Sequence, residues 1–202
     1  MDRNSLSRRQ ASRAEGRTMN ENRLKAFAEP YYRHKDIMHN MWHIELVHKW
    51  MDRIILLGTY QPDYESLLYA LYFHGFIYTE ETAVRKWLDL EGIDAKKADF
   101  IIRISLESQR PEIPETLEGK ILHDAHVLEG GKNYLVVKTL ITGSVRGQDL
   151  PRTLDFMKNN VLDRNRCYLP ETIPLCEEMN SYARQFLSEL ESGKIGRASC
   201  RE

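Results

Sequence analysis

The seven histidines are the residues of this 202-residue chain best suited to chemistry, and they fall into three groups. His34, His39, His43 and His48 come first, His74 stands alone, and His123 and His126 close the series. Neutral imidazole is a common ligand for zinc, copper, iron and nickel, and it also titrates near physiological pH. Asp124 lies between the last two histidines in ILHDAHVLE, flanked by Ile121, Leu122, Val127 and Leu128. A carboxylate in so apolar a segment needs a partner, because burying it unpaired is very costly. A metal shared with imidazoles is one such partner; a buried arginine or a helix N-terminus is another. Each residue taken singly also has a structural reading. His39 suits a helix start satisfied by backbone, His43 and His74 suit hydrogen-bonded core positions, and His48 suits solvent beside Lys49. His123 and His126 are too close in sequence to Asp124 to share its helical face, and Asp124 is taken as the inward residue.

The elements that must position these side chains read as helices nearly throughout. From Ile37 to Leu57, the apolar residues Met41, Ile44, Val47, Met51, Ile54 and Ile55 recur mostly at spacings of three and four. That is the mark of a helix with one buried stripe, and it puts His39 and His43 on one face if the helix begins before His39. PDYESLLYALYFHGF predicts a second, buried helix between Pro62 and Gly75, with His74 near its end. A third is expected from about Thr79 through Leu88, with Glu80 and Glu81 suited to its N-terminus. A fourth follows Asp94 as cap, with Phe100, Ile101 and Ile104 inward. QRPEIPE holds two prolines and reads as a loop. TLEGKILHDAHVLEGGKNYLVVKTLITG predicts two helical segments broken at Gly130 and Gly131, although YLVV also has β-propensity. Helices are further expected over Leu150 to Asn160 and Leu175 to Leu190. The fold class is therefore all-α, as a single compact helical bundle.

Three islands in this order, HNMWHIELV, ALYFHG and KILHDAHVLEGG, resemble the HD-domain superfamily of metal-dependent phosphohydrolases. The similarity spans roughly Lys25 to Leu190. The resemblance implies His43, His74 and Asp124 as metal ligands, with His126 standing where many relatives carry a second acidic residue. Relatives have an aspartate after the dyad histidine; this chain has Gly75, which offers no ligand side chain and makes a paired-metal centre unexpected. Two imidazoles and one carboxylate still suffice for one divalent transition metal ion, Mn, Fe, Co, Ni or Zn. His39 is a further ligand or an orienting neighbour. TEETA resembles the acidic group that follows the dyad in some relatives, which gives Glu80 and Glu81 a role in orienting or deprotonating water; simple N-terminal helix charge is the other reading.

The activity implied is metal-dependent hydrolysis of a phosphate ester, a nucleotide or other small phosphorylated metabolite. Arg33, Lys132, Lys138 and Arg146 are the cations considered for phosphate, with Arg33 and Lys132 preferred. The alternative is a catalytically degenerate HD domain that binds a nucleotide or a protein, for which Gly75 is the argument. A purely structural set of histidines in a helical interaction module is a third reading. No GxxxxGK[ST] loop supports an ATPase and no GxSxG elbow supports a serine hydrolase.

Composition sets the outer bounds. Lys and Arg number 29 and Asp and Glu 30, so the net charge of -1 generates no field for a nucleic-acid polymer or an acidic membrane. No run approaches the length of a membrane span. Three cysteines without a CxxC pair suit a reducing compartment, and a cytoplasmic location is expected. Residues 1–22 are Arg- and Ser-rich and read as a disordered or vector-derived extension, with organellar targeting as the other reading. The domain is expected over residues 23–190. Residues 191–202, with Cys200, read as a flexible tail.

Overall fold

The computed structural model describes residues 21–109 and 112–193; the arginine-rich leader, most of the tail, and Arg110 and Pro111 of the proline loop lie outside them. Among the described residues there are nine α-helices and no strand. The first helix, α1, covers 21–32 and takes in Glu21 and Asn22, which sequence alone assigned to the extension. It buries Leu24, Ala28 and Tyr32 against the bundle.

The second helix, α2, runs Met41–Gly58 and starts later than the apolar spacing predicts. The Asp36 carboxylate accepts the Met38 N–H at 2.8 Å and meets His39 Nδ1 at 2.8 Å, closing a turn over 36–39. Asn40 then caps the helix by accepting from the Trp42 N–H. His39 is thereby outside the helix that carries His43. At the far end it is Thr59, at φ 52°, that adopts the left-handed turn. Gly58 has a different reason to be glycine: a Cβ there would lie 2.1 Å from the Tyr60 ring.

Helix α3, Tyr64–Phe73, is the centre of the fold. Every residue from Ser66 to Phe73 is buried, as expected of a helix apolar on all sides. Helix α4, Ile77–Leu90, begins two residues before the predicted start and is non-helical at Glu80, with φ -122° and ψ 19°. Phe27 of α1 stacks on Trp87 of α4 at 4.9 Å and meets Phe73 edge-on at 6.0 Å, so aromatic packing fastens both helices to α3. Helix α5, Ala95–Glu107, starts on the Asp94 cap as expected.

Helix α6, Leu117–Leu128, and α7, Gly131–Val145, meet at the predicted double-glycine break. YLVV is helical, because α7 buries Leu135 and Val136 against the last helices rather than in a sheet, while Tyr134 packs toward Trp42 and Met38. Helix α8, Leu150–Phe156, passes into a π-helical segment, Met157–Leu162, and α9 covers Ile173–Ser192. Helices α2, α3, α5 and α6 pack together around one apolar cluster, and α7, α8 and α9 around a second. Trp50 packs against both clusters. A fully buried Leu, Ile or Phe in such a core stabilises by about 1.5–3 kcal/mol. No described helix is long and apolar enough to cross a membrane.

Candidate metal centre

Three helices bring imidazoles to one point. His43 sits in the first turn of α2, His74 caps the end of α3, and His126 lies in the last turn of α6. One ligand atom from each lies within 4.8 Å of the others, and the three form a cluster able to coordinate a single divalent metal ion. Their rings are 4.9–5.3 Å apart, centroid to centroid.

The outward nitrogens show how the cluster is oriented. His43 Nδ1 meets the Glu129 carboxylate, His74 Nδ1 meets the Leu71 carbonyl at 2.5 Å, and His126 Nδ1 meets the Ser108 carbonyl at 3.1 Å. A carbonyl only accepts, so the Nδ1 of His74 and of His126 carries the proton, and a carboxylate imposes the same tautomer on His43. The three Nε2 atoms are left with lone pairs facing one another, and those of His43 and His74 are 3.0 Å apart. Facing lone pairs repel unless a cation lies between them, and an acceptor behind each imidazole is the usual support of a metal-bound histidine. A proton is a poor substitute. Burial pushes the His74 ring down to about 4, and burial reinforced by the Lys138 charge or by the neighbouring histidines pushes His43 and His126 well below their ordinary value. The residues present therefore fit a metal ion.

Glu129 and Lys138 form the second tier. Glu129, 4% exposed at the end of α6, touches His43 with one carboxylate oxygen and the Lys138 ammonium with the other. No pattern in the sequence marks it: its partners are 86 and 9 residues away, and only the α6–α7 break aims it inward.

Asp124 is not in the cluster. It is fully buried on α6, and its carboxylate accepts from the Tyr168 N–H at 3.0 Å, the Leu169 N–H at 2.8 Å and the Thr172 hydroxyl at 2.5 Å. Those bonds tie α6 to the segment leading into α9. The third side chain of the cluster is His126 instead, which the family resemblance set at a second acidic position. Two residues along a helix is a rotation of about 200°, so Asp124 and His126 necessarily face opposite ways.

The space beside Gly75 is filled. A Cβ on Gly75 would lie 2.5 Å from the Tyr32 hydroxyl and 2.6 Å from its ring. That hydroxyl accepts from the Gly75 N–H at 3.1 Å and donates to the Tyr72 carbonyl at 2.9 Å. Lys35 donates to the Gly75 carbonyl at 2.5 Å.

The triad opens into a cavity of about 400 Å³ whose polar lining includes Lys35, His39, Gln109, Lys138, Arg146 and Asn160. His39 is held by Asp36 and is not among the three convergent imidazoles. Asn160 belongs to the π-helical segment, a departure from α-helix often found at functional sites. Lys138 and Arg146 line the cavity, but Arg33 and Lys132 do not. Arg33 is exposed, and Lys132 pairs with Glu178 at 3.5 Å on the surface. Glu80 and Glu81 also lie outside the cavity lining, and Glu81 pairs with Arg85 at 2.8 Å.

No family model and no curated protein sequence matches the chain. Solved structures that match in fold include two of YpgQ from Bacillus subtilis. The crystal structure of its complex with ADP superposes with a TM-score of 0.68 at 18% identity, covering 89% of this chain and 97% of that one. A selenomethionine crystal structure of YpgQ gives 0.67 at 17% identity, covering 89% and 96%. At that identity the likeness is one of fold: this chain has the helical architecture of YpgQ over nearly the whole length of both proteins.

Proposed function

We propose that the protein is a divergent HD-type phosphohydrolase that hydrolyses a small phosphate ester, a nucleotide or similar metabolite, with one divalent metal ion held by His43, His74 and His126. The observation that carries the reading is the joining of two features in one cavity, three oriented imidazole lone pairs and the cations Lys35, Lys138 and Arg146. The fold shared with YpgQ, a protein crystallised with ADP, supports a phosphorylated ligand of this size.

A bound divalent ion supplies Lewis acidity toward a phosphoryl oxygen and a nucleophile at neutral pH. The chain supplies the rest. Lys35, Lys138 and Arg146 present positive charge to a phosphate in a partly closed cavity, where such charge counts for more than in bulk water. Glu129 fixes the His43 ring. His39 is the imidazole of the cavity that stands outside the triad, and Asp36 holds its Nδ1. Burial lowers the His39 ring below its ordinary value, so it is neutral at pH 7 with Nε2 free to take a proton. His39, rather than Glu80 or Glu81, is the group proposed to handle protons.

The competing reading, a binding module without turnover, draws on Gly75 and the Tyr32 ring packed against it. A screen of nucleotides, sugar phosphates and a chromogenic phosphomonoester decides between them. Turnover abolished by a chelator, restored by one metal and lost in His74→Ala is expected. A metal-loaded protein that binds nucleotides without consuming them would establish the binding module instead.

A further inference from the structure

Among the described residues, the carboxylates near the triad are engaged elsewhere. Glu129 is held between His43 and Lys138, Asp36 between His39 and the Met38 N–H, and Asp124 among Tyr168, Leu169 and Thr172. A carboxylate at position 75 has no room, because the Tyr32 ring stands where its Cβ would begin. Among the described residues, the donor set at the point of convergence consists of imidazole nitrogens.

Donor chemistry then sorts the metals. Magnesium and manganese are held chiefly by the negative charge of oxygen ligands, whereas imidazole suits zinc, nickel, copper and iron. The nearest anion, Glu129, is a step removed and shared with a lysine. From these two facts we infer that this centre is an all-imidazole site selective for a zinc-type ion, and that it discriminates against manganese and magnesium more strongly than the same fold with a carboxylate in the set. The inference rests on the metal-centre reading above but not on the reaction proposed for it. Position 126 sets the discrimination: a carboxylate there, carried on the same backbone, adds the anionic oxygen that the harder ions require.

The test is equilibrium dialysis of the full chain against equal concentrations of zinc and manganese, with bound metal measured by elemental analysis. Wild type, His126→Asp and His74→Ala are compared, with circular dichroism confirming that each is folded. Wild type is expected to hold one zinc and negligible manganese per chain, and His74→Ala to hold neither. His126→Asp is expected to shift the zinc-to-manganese ratio toward manganese by about tenfold or more. Cobalt(II) titration, read by its visible absorption, gives a second measure, in which a histidine-dependent band is expected for wild type. Manganese bound at parity with zinc by wild type would overturn the inference while leaving the phosphohydrolase reading standing. An unchanged ratio in a folded His126→Asp would also overturn it. No uptake of any metal would overturn both. Zinc selectivity without turnover would uphold this inference and defeat the proposed reaction.

Discussion

Glu129→Gln tests how the centre is built. The wild-type carboxylate is buried and gives one oxygen to His43 Nδ1 and the other to Lys138 Nζ. The amide keeps one acceptor but turns an NH2 group toward a donor, so one of the two contacts becomes donor against donor. Lys138, itself buried, also loses this anion. Removing one partner of a buried pair costs about 3–5 kcal/mol, because the opposite charge is left desolvated. For a domain of this size each kcal/mol lowers Tm by about 2–4 °C, so a fall of about 6–20 °C is expected. Loss of the group that orients a metal-bound histidine costs about 10–100-fold in metal affinity. Thermal unfolding of chelated protein reads the first effect and zinc titration the second. The double variant Glu129→Gln/Lys138→Met separates them: it recovers most of the stability, since both charges are gone, and leaves the weakened affinity in place. A Glu129→Gln protein with wild-type Tm and wild-type zinc affinity would refute the argument that Glu129 supports the site.

Other predictions follow from the same geometry. Asp124→Asn weakens charge-assisted bonds to Tyr168, Leu169 and Thr172 and is expected to destabilise by about 2–4 kcal/mol in denaturant unfolding, while metal stoichiometry stays that of wild type. Metal loss in a folded Asp124→Asn would return that residue to the ligand set. Gly75→Asp does not restore a second metal; its Cβ meets Tyr32, and overpacking of about 1–3 kcal/mol is expected, recovered in part by adding Tyr32→Ala. Stability of the chelated protein is expected to fall as pH drops from 6.5 toward 4. His74 titrates near 4 when folded against 6.5 when unfolded, so the unfolded chain takes the proton first, at a cost to the native state of about 3 kcal/mol from this ring alone. His43 and His126 are displaced in the same direction and deepen the loss. Urea unfolding that is flat across that range would show that these rings are not buried as neutral bases.

Much of the architecture was legible along the chain because helices are local objects. The apolar stripe Ile44, Val47, Met51 and Ile54, the Asp94 cap and the break at Gly130 and Gly131 each act within a few residues, and each appears in the fold as periodicity and capping chemistry predict. His43 and His74 were singled out by residue type and order, and they do converge. What local pattern could not supply is the rotation of one helix against its neighbours. Asp124 and His126 share α6, and only the packing of α6 between α2, α5 and α9 turns the histidine to the cavity and the aspartate to the segment before α9. The start of α2 was missed because the Asp36 side chain closes a turn that apolar spacing does not register. Glu129, Lys35 and Tyr32 entered the site through contacts spanning 40 residues or more, to His43, Gly75 and Tyr72. Residue type decided which chemistry was available to this chain; tertiary packing, by burying imidazoles together and engaging Glu129, Asp36 and Asp124 with other partners, decided which of it is assembled.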